Sequence, residues 1–212
     1  MKSLSASKKG LFIVFEGVEG SGKSTQCRLL SERLTLEGIS NIRLREPGST
    51  ETGENIRAWL AGGSDIDRFS ELFLLSAARS ALVKQKLKPS LVEKRVVVLD
   101  RYIYSTIAYQ GFARGIRRDI IDRINGIATE GLDPHKVFLL DVDPEISFER
   151  KKDNISDRWE SEDIHFHRKV RNGYLSIAKG NPTLWEILDA SSDEKSIHQL
   201  VWQSVLELFD QI

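Results

Sequence analysis

A glycine-rich loop directly after an apolar run is the feature that most constrains how this chain can fold. The run LFIVFE is followed by GVEGSGKST at residues 17–25. This stretch matches the pattern G-x-x-x-x-G-K-[S/T]. The matching residues are Gly17, Gly22, Lys23 and Ser24. In this pattern a strand leads into the loop, backbone N–H groups surround phosphate oxygens, and a helix N-terminus adds partial positive charge. The sequence therefore predicts a strand–loop–helix unit that binds phosphate.

Further side chains suit a magnesium ion and a second anion. Lys23 is expected to reach the β- and γ-phosphates of a bound nucleotide, and the Ser24 hydroxyl to ligate Mg²⁺. Asp100 ends the apolar run Val96–Leu99, where its carboxylate can hold the water shell of that ion. Arg101 follows Asp100 and adds a second cationic side chain, a guanidinium, close to the phosphate loop. A nucleotide switch needs one anion only, and the GTPase motifs D-x-x-G and N-K-x-D do not occur in the sequence. A second anion is therefore expected.

Short apolar runs without polar alternation predict strands that are covered on both faces, as in a parallel sheet. The strongest runs are Leu11–Phe15, Val96–Leu99 and Val137–Leu140, and weaker strands are expected at Asn41–Arg45 and Leu184–Leu188. Helical patterns lie between them, and residues 68–87 are long enough for one helix. This alternation predicts a doubly wound α/β fold, a parallel sheet of about five strands with helices on both faces.

The length of 212 residues and the hydrophobic content of 40% suit one domain with a buried core. We expect a flexible N-terminal tail at residues 1–10 and a single domain over residues 11–212. Lys plus Arg and Asp plus Glu each total 31, so no overall charge favours nucleic acid or an anionic membrane. No apolar run approaches the about 18 residues of a membrane span, and the start lacks a secretory signal. The lone Cys27 fits a reducing compartment. We expect a soluble, cytoplasmic protein.

Several motifs, spread over most of the chain, resemble those of the thymidylate kinases. They are FEGVEGSGKST, REPGST (45–50), SAARSALV (76–83), DRYIYSTIAYQG (100–111), LDVDPE (140–145), DRWE (157–160) and FHRKVRNGYL (166–175). The resemblance implies the nucleoside monophosphate kinase fold and transfer of the ATP γ-phosphate to thymidine monophosphate (dTMP), with Mg²⁺ held through Ser24 and Asp100. It assigns ATP to the loop residues Gly17, Val18, Glu19, Gly20, Ser21, Gly22, Lys23, Ser24 and Thr25. It also implies nucleotides as partners and a homodimer.

The same resemblance implies roles in the acceptor site. Arg45 and Arg101 are placed on the acceptor phosphate, where guanidinium forks can bind it through two hydrogen bonds. Glu19 is placed on the sugar 3′-hydroxyl, and Tyr109 where a 2′-hydroxyl would be crowded out. Arg79 is expected to donate to a thymine carbonyl, with Gln110 near the base edge. The remaining residues of this predicted site are Pro47, Leu75 and Ser105.

One departure from the family concerns the base. The thymine-stacking phenylalanine of the family falls on Leu75, which lacks an aromatic face, and Phe73 or Phe69 could substitute for it. This keeps open a kinase for another nucleoside monophosphate. A phosphate-loop switch without turnover is the second alternative.

A basic lid is expected at residues 150–160. In some family members an arginine of the phosphate loop supplies the positive charge over the transferred group, but here that position is Ser21. The lid segment instead contains Arg150 and Arg158, as in the bacterial type of the family. We expect these two arginines, with Lys23 and Arg101, to stabilise the transferring phosphoryl group.

Overall fold

The computed structural model describes residues 10–62, 66–150 and 162–210. Five parallel strands form one sheet in the order β2-β3-β1-β4-β5. They are β1 (Leu11–Glu16), β2 (Asn41–Arg45), β3 (Val96–Asp100), β4 (Lys136–Asp141) and β5 (Trp185–Asp189). All neighbouring pairs run parallel. The strands predicted from the apolar runs are confirmed to within a residue or two at their ends.

Helices connect the strands. In the described residues they are α1 (Lys23–Leu36), α2 (Glu51–Ala61), α3 (Arg68–Leu82), α4 (Lys88–Val92), α5 (Ile103–Thr106), α6 (Arg118–Thr129), α7 (Pro144–Glu149), α8 (Ile164–Gly180) and α9 (Glu194–Asp210). α3 begins where the Asp67 side chain accepts from the backbone N–H groups of Phe69 and Ser70, which satisfies donors that a helix start leaves unpaired. None of the helices described combines the length and the apolar character needed to cross a membrane.

Two π-helical segments interrupt the regular helices. Val83–Leu87 continues α3, so the predicted helix at 68–87 is present but changes its winding near its end. Ile107–Ala113 continues α5 and carries the buried side chains of Tyr109 and Gln110. The wider turn shifts the direction in which the following side chains point, and such segments are frequent at functional sites.

The three central strands form the core of the sheet. Every residue of β1 is buried, as are most residues of β3 and β4. Burial of side chains that point alternately to the two faces means that helices cover both faces. The edge strand β2 is largely exposed or half-buried.

The register of the strands determines where the functional residues meet. Phe15 of β1 lies beside Asp100 of β3, and the backbone N–H of Arg101 donates to the Phe15 carbonyl at 3.0 Å. The backbone N–H of Glu46, just after β2, donates to the Asp100 carbonyl at 2.9 Å. The segments that follow β1, β2 and β3 therefore emerge side by side at the carboxyl edge of the sheet, where open α/β sheets bind their ligands.

Candidate active site

The phosphate loop depends on glycine at two positions. Gly17 has φ +146°, and a Cβ there would lie 2.6 Å from the Leu140 carbonyl oxygen and 2.7 Å from Ser21 Oγ. Gly22 has φ +92° and caps α1, which begins at Lys23. Both are conformations that residues with a Cβ rarely adopt. The predicted ATP-binding residues Val18, Glu19, Gly20, Ser21, Ser24 and Thr25 all lie in this loop or in the first turn of α1.

Lys23 is buried and lies against the backbone of its own loop. Its Nζ donates to the Val18 carbonyl at 2.7 Å and to Ser21 Oγ at 3.4 Å. Burial lowers the pKa of Lys23 to about 8, and the nearby positive charge of Arg101 acts in the same direction. A phosphate group in the loop would oppose this effect, because an adjacent negative charge favours the ammonium form.

Ser24 and Asp100 form a pair of oxygen donors at the start of α1. Ser24 Oγ donates to Asp100 Oδ2 at 2.6 Å, so the first turn of the helix contacts the end of β3. A hydroxyl and a carboxylate are ligands that suit Mg²⁺, which also retains several waters and binds nucleotide phosphates. The two residues therefore fit a magnesium ion shared with a nucleotide.

Arg101 links the loop to a second pocket. It has φ +69°, and its guanidinium contacts five groups. Nη1 donates to Gly17 O (3.1 Å), Ser105 Oγ (3.1 Å) and Tyr174 OH (3.0 Å), and Nη2 donates to Glu19 Oε1 (2.5 Å) and Tyr109 OH (3.3 Å). The ion pair with Glu19 is largely shielded from water. These contacts hold the arginine in one orientation between the phosphate loop and the second pocket.

Glu16 shares two hydroxyl partners with Arg101, and the sequence did not predict it as a site residue. This buried acid ends β1, and it accepts from the backbone N–H of Tyr102 at 2.8 Å and from Ser105 Oγ at 2.7 Å. Tyr174 OH also donates to it, at 2.9 Å. Burial raises the pKa of Glu16, while the charge of Arg101 opposes that shift. Glu16 thereby orients two hydroxyl groups whose oxygens accept from Arg101. An acidic residue closing a wholly apolar run was the signal available in the sequence.

The second pocket lies beside the loop and encloses about 420 Å³, including the open solvent at its mouth. The structure brings together eight of the predicted acceptor-site residues on its wall: Glu19, Pro47, Leu75, Arg79, Arg101, Ser105, Tyr109 and Gln110. Two lining residues, Glu46 and Thr106, were not predicted. Both lie in motifs that resemble the family, which was the only signal for them.

Arg79 is the most buried cation of this pocket, with 2% of its surface exposed. It is ion-paired with Glu46 and donates to Asn125 Oδ1 at 2.5 Å and to Thr106 Oγ1 at 2.8 Å. Burial raises the pKa of Glu46 to about 7, although the charge of Arg79 acts against this. Asn125 belongs to α6, far along the chain, and no motif pointed to it.

The wall at Leu75 is aliphatic. Leu75 is buried and lines the pocket, whereas Phe73 is 58% exposed on the outer side of α3. Phe73 therefore does not substitute for the missing aromatic residue, because positions two apart on a helix point in different directions. Among the described residues that line the pocket, the aromatic ring is that of Tyr109.

Two predicted arginines lie outside this pocket. Arg45 is 52% exposed in its side chain, and its Nη2 contacts Glu54 Oε2 at 2.8 Å. It borders a cleft together with Ser24 and Asp100. Arg150 donates to the Ala190 carbonyl at 2.8 Å, and it borders another cleft with the outer side of the phosphate loop. Arg158 and the rest of the lid at 151–160 lie outside the described residues.

A phosphate loop with an arginine-lined pocket directly beside it, at the carboxyl edge of this parallel sheet, defines a phosphate-loop kinase that acts on nucleoside monophosphates. The family model described as thymidylate kinase matches residues 15–201. The chain belongs to the thymidylate kinase family.

Individual relatives agree with this assignment. The chain is 39% identical over 200 residues to the thymidylate kinase of Caldanaerobacter subterraneus subsp. tengcongensis, covering 94% of this chain and 96% of that protein. It is 42% identical over 198 residues to that of a Sulfurihydrogenibium species, covering 92% and 97%. The crystal structure of thymidylate kinase from Ehrlichia chaffeensis superposes with a TM-score of 0.76 at 33% identity, covering 93% of this chain and 99% of that one.

Proposed function

We propose that this protein transfers the γ-phosphate of ATP to dTMP, giving ADP and thymidine diphosphate (dTDP). The observation that carries the proposal is the position of Arg101. Its guanidinium contacts the phosphate loop at the Gly17 carbonyl and also lines the second pocket, which we assign to the phosphate acceptor and call the acceptor pocket. A single fixed cation between the two sites is suited to bringing two anionic reactants together.

The chemistry needs little from a general base. A phosphate monoester has its second pKa at about 6, so the acceptor oxygen is largely deprotonated at neutral pH. Repulsion between the reactants is the larger obstacle, because unit charges 4 Å apart interact by about 4 kcal/mol at an effective dielectric constant of 20. We assign Lys23 to the donor phosphates and Arg101 to the acceptor phosphate. Magnesium held by Ser24 and Asp100 would neutralise charge on the donor phosphates.

The acceptor pocket provides groups for the sugar and the base. We assign Glu19 to the 3′-hydroxyl and Tyr109 to exclusion of a 2′-hydroxyl, which is supported by their common contact with Arg101. We assign Arg79 to a base carbonyl, supported by its burial in the pocket wall. Pro47, Leu75 and Ser105 complete the wall.

Arg45 and Arg150 require more reorganisation than Arg101 to meet a phosphate. Arg45 would exchange its half-exposed contact with Glu54 for the acceptor phosphate, and an exposed ion pair contributes little. Arg150 borders the outer side of the loop, so we propose that it contacts the ATP side. Arg158 remains the proposed lid donor.

A coupled assay of ADP release tests the activity. Initial rates should be compared for dTMP and for the monophosphates of deoxyuridine, deoxycytidine, deoxyadenosine and deoxyguanosine. We expect dTMP to have the highest kcat/KM and the purines to be rejected. Leu75 leaves the pocket without the stacking ring of the family, so the choice of base needs a direct test. Equal rates with purines would contradict the base assignment. ATP binding without a diphosphate product would instead favour the nucleotide switch.

We further propose a cytoplasmic homodimer formed through the outer face of α3. Phe73 on that face is 58% exposed, and a second copy would remove it from water. The lone Cys27 is buried as a free thiol, which suits a reducing compartment. Sedimentation velocity should give about twice the chain mass of 24.0 kDa at micromolar concentration, and a single species at the monomer mass would contradict the dimer.

A further inference from the structure

Glu71 holds the amide of Gln110 in one orientation. Gln110 Nε2 donates to Glu71 Oε1 at 2.7 Å, and both side chains are almost completely buried. An ionised carboxylate only accepts hydrogen bonds, so the amide nitrogen must face Glu71 and the amide oxygen must face away from it. That oxygen, Gln110 Oε1, has no hydrogen-bond partner among the residues that the structure describes.

The carboxylate of Glu71 is itself held by a positive charge. Its Oε2 lies 3.1 Å from Arg114 Nε, and Arg114 Nη2 lies 2.9 Å from Glu162 Oε1. The Arg114 guanidinium also lies over the ring of Phe166, 5.1 Å from its centroid. Arg114 follows the π-helical segment that carries Gln110, and Glu162 precedes α8. The Arg114 guanidinium offsets the cost of burying the Glu71 carboxylate, because a lone buried carboxylate would be costly.

The result is a buried acceptor in the wall of the second pocket. Gln110 lines that pocket together with Arg79, and Nε of Arg79 also has no acceptor within the described part of the chain. Because a buried polar atom without a partner is costly, a ligand that supplies both partners is favoured. The required ligand edge has an N–H next to a carbonyl. Thymine and uracil have this edge, whereas the ring nitrogen of cytosine is an acceptor there.

We propose that Glu71 is a positioning residue for base selectivity. By fixing the Gln110 amide with its oxygen toward the ligand, Glu71 selects pyrimidines with a ring N–H and disfavours those with a ring acceptor. The proposal rests on the proposed function, because it concerns the choice of acceptor by the same pocket. It assigns selectivity to a residue that does not itself line the pocket.

Glu71→Gln tests the proposal, because the new amide can either donate or accept and so allows the Gln110 amide to turn over. The substrates are dTMP and 5-methyldeoxycytidine monophosphate, which differ only along the base edge in question. The ratio of their kcat/KM values is measured for the parent and the variant. We expect the ratio to fall by at least about tenfold in Glu71→Gln, the effect of one hydrogen bond in a buried site. A ratio within twofold of the parent value would overturn the proposal.

Two further variants separate orientation from structural damage. Glu162→Gln removes the charge of the second acidic partner of Arg114 and leaves the contact between Glu71 and Gln110 in place. We expect this variant to keep the kcat/KM ratio of the parent protein. A fall equal to that of Glu71→Gln would refute the role of amide orientation. If Glu71→Gln gives no cooperative thermal transition, Glu71→Asp decides. It keeps the charge but withdraws the carboxylate by one methylene, so the ratio should again fall, and an unchanged ratio would refute the proposal. A parent protein without activity on dTMP would refute the proposed function instead.

Discussion

Replacement of Arg101 by lysine separates the geometry of this cation from its charge. In the structure Nη1 contacts three acceptors and Nη2 contacts two, in two directions from one planar group. Lysine keeps the positive charge opposite Glu19 but has a single nitrogen, which cannot occupy both positions. The variant should therefore fold, yet it should lose one charge-assisted hydrogen bond to the acceptor phosphate.

The size of the effect follows from that one bond. A hydrogen bond to a charged group contributes about 1.5–3 kcal/mol, which corresponds to a fall in kcat/KM for dTMP of about 10- to 150-fold. The KM for ATP should change much less, because Arg101 reaches the donor side only through a backbone carbonyl. Steady-state kinetics with each substrate varied in turn, together with thermal melting, provides the measurement.

The matched control is Arg95→Lys. Arg95 directly precedes β3, whereas Arg101 directly follows it, and Arg95 Nη2 donates to the Asn41 carbonyl at 2.7 Å. The control removes a guanidinium at the opposite end of the same strand, so its kcat/KM should remain within about twofold of the parent. Arg101→Lys with parental kcat/KM for dTMP would refute the reasoning that two directed donors are needed.

Three further predictions concern the residues around the loop. Because burial lowers the pKa of Lys23 to about 8, the free protein loses this charge above pH 8. ATP affinity should then fall about tenfold between pH 8 and 9.5, with proton uptake on binding in calorimetry; a flat profile would argue against the assigned role. Ser24→Ala should raise the magnesium concentration for half-maximal rate severalfold at unchanged fold, and an unaltered requirement would remove Ser24 from the ion. Glu16→Gln keeps the shape but introduces an amide nitrogen, which cannot accept the hydrogen bonds that Ser105 and Tyr174 donate to Glu16, so kcat/KM for dTMP should fall about tenfold while ATP affinity is retained. Equal losses for both substrates would indicate general damage.

The fold could be predicted from the sequence because its determinants are local. Runs such as Leu11–Phe15 and Val96–Leu99 are apolar at every position, and only a sheet covered on both faces buries all of these side chains. The loop at residues 17–25 could be predicted equally well, because Gly17 and Gly22 permit backbone angles that other residues rarely adopt. The π-helical winding of Ile107–Ala113 was not predicted, since nothing in its local pattern distinguishes it from an α-helix.

The side-chain partnerships of the site were harder to anticipate. Arg45 ends β2 and Arg101 directly follows β3, and both strands end at the same edge of the sheet, so nothing in the sequence distinguishes the two arginines. The structure leaves the Arg45 side chain 52% exposed beside Glu54, whereas the Arg101 side chain is 14% exposed between the loop and the pocket. Their difference depends on the residues that surround them in space, Glu16 and Tyr174 among them, which are distant along the chain.

The order of strands and helices, the phosphate loop and the cations near it can be predicted from the sequence alone, because they depend on backbone preferences and on neighbours within a few residues. Which cation contacts which partner depends on how distant segments pack together. Glu71 illustrates the reason: its contacts with Gln110 and Arg114 join segments that are about 40 residues apart. The orientation of a buried amide depends on such distant contacts and has no signature in the order of the residues.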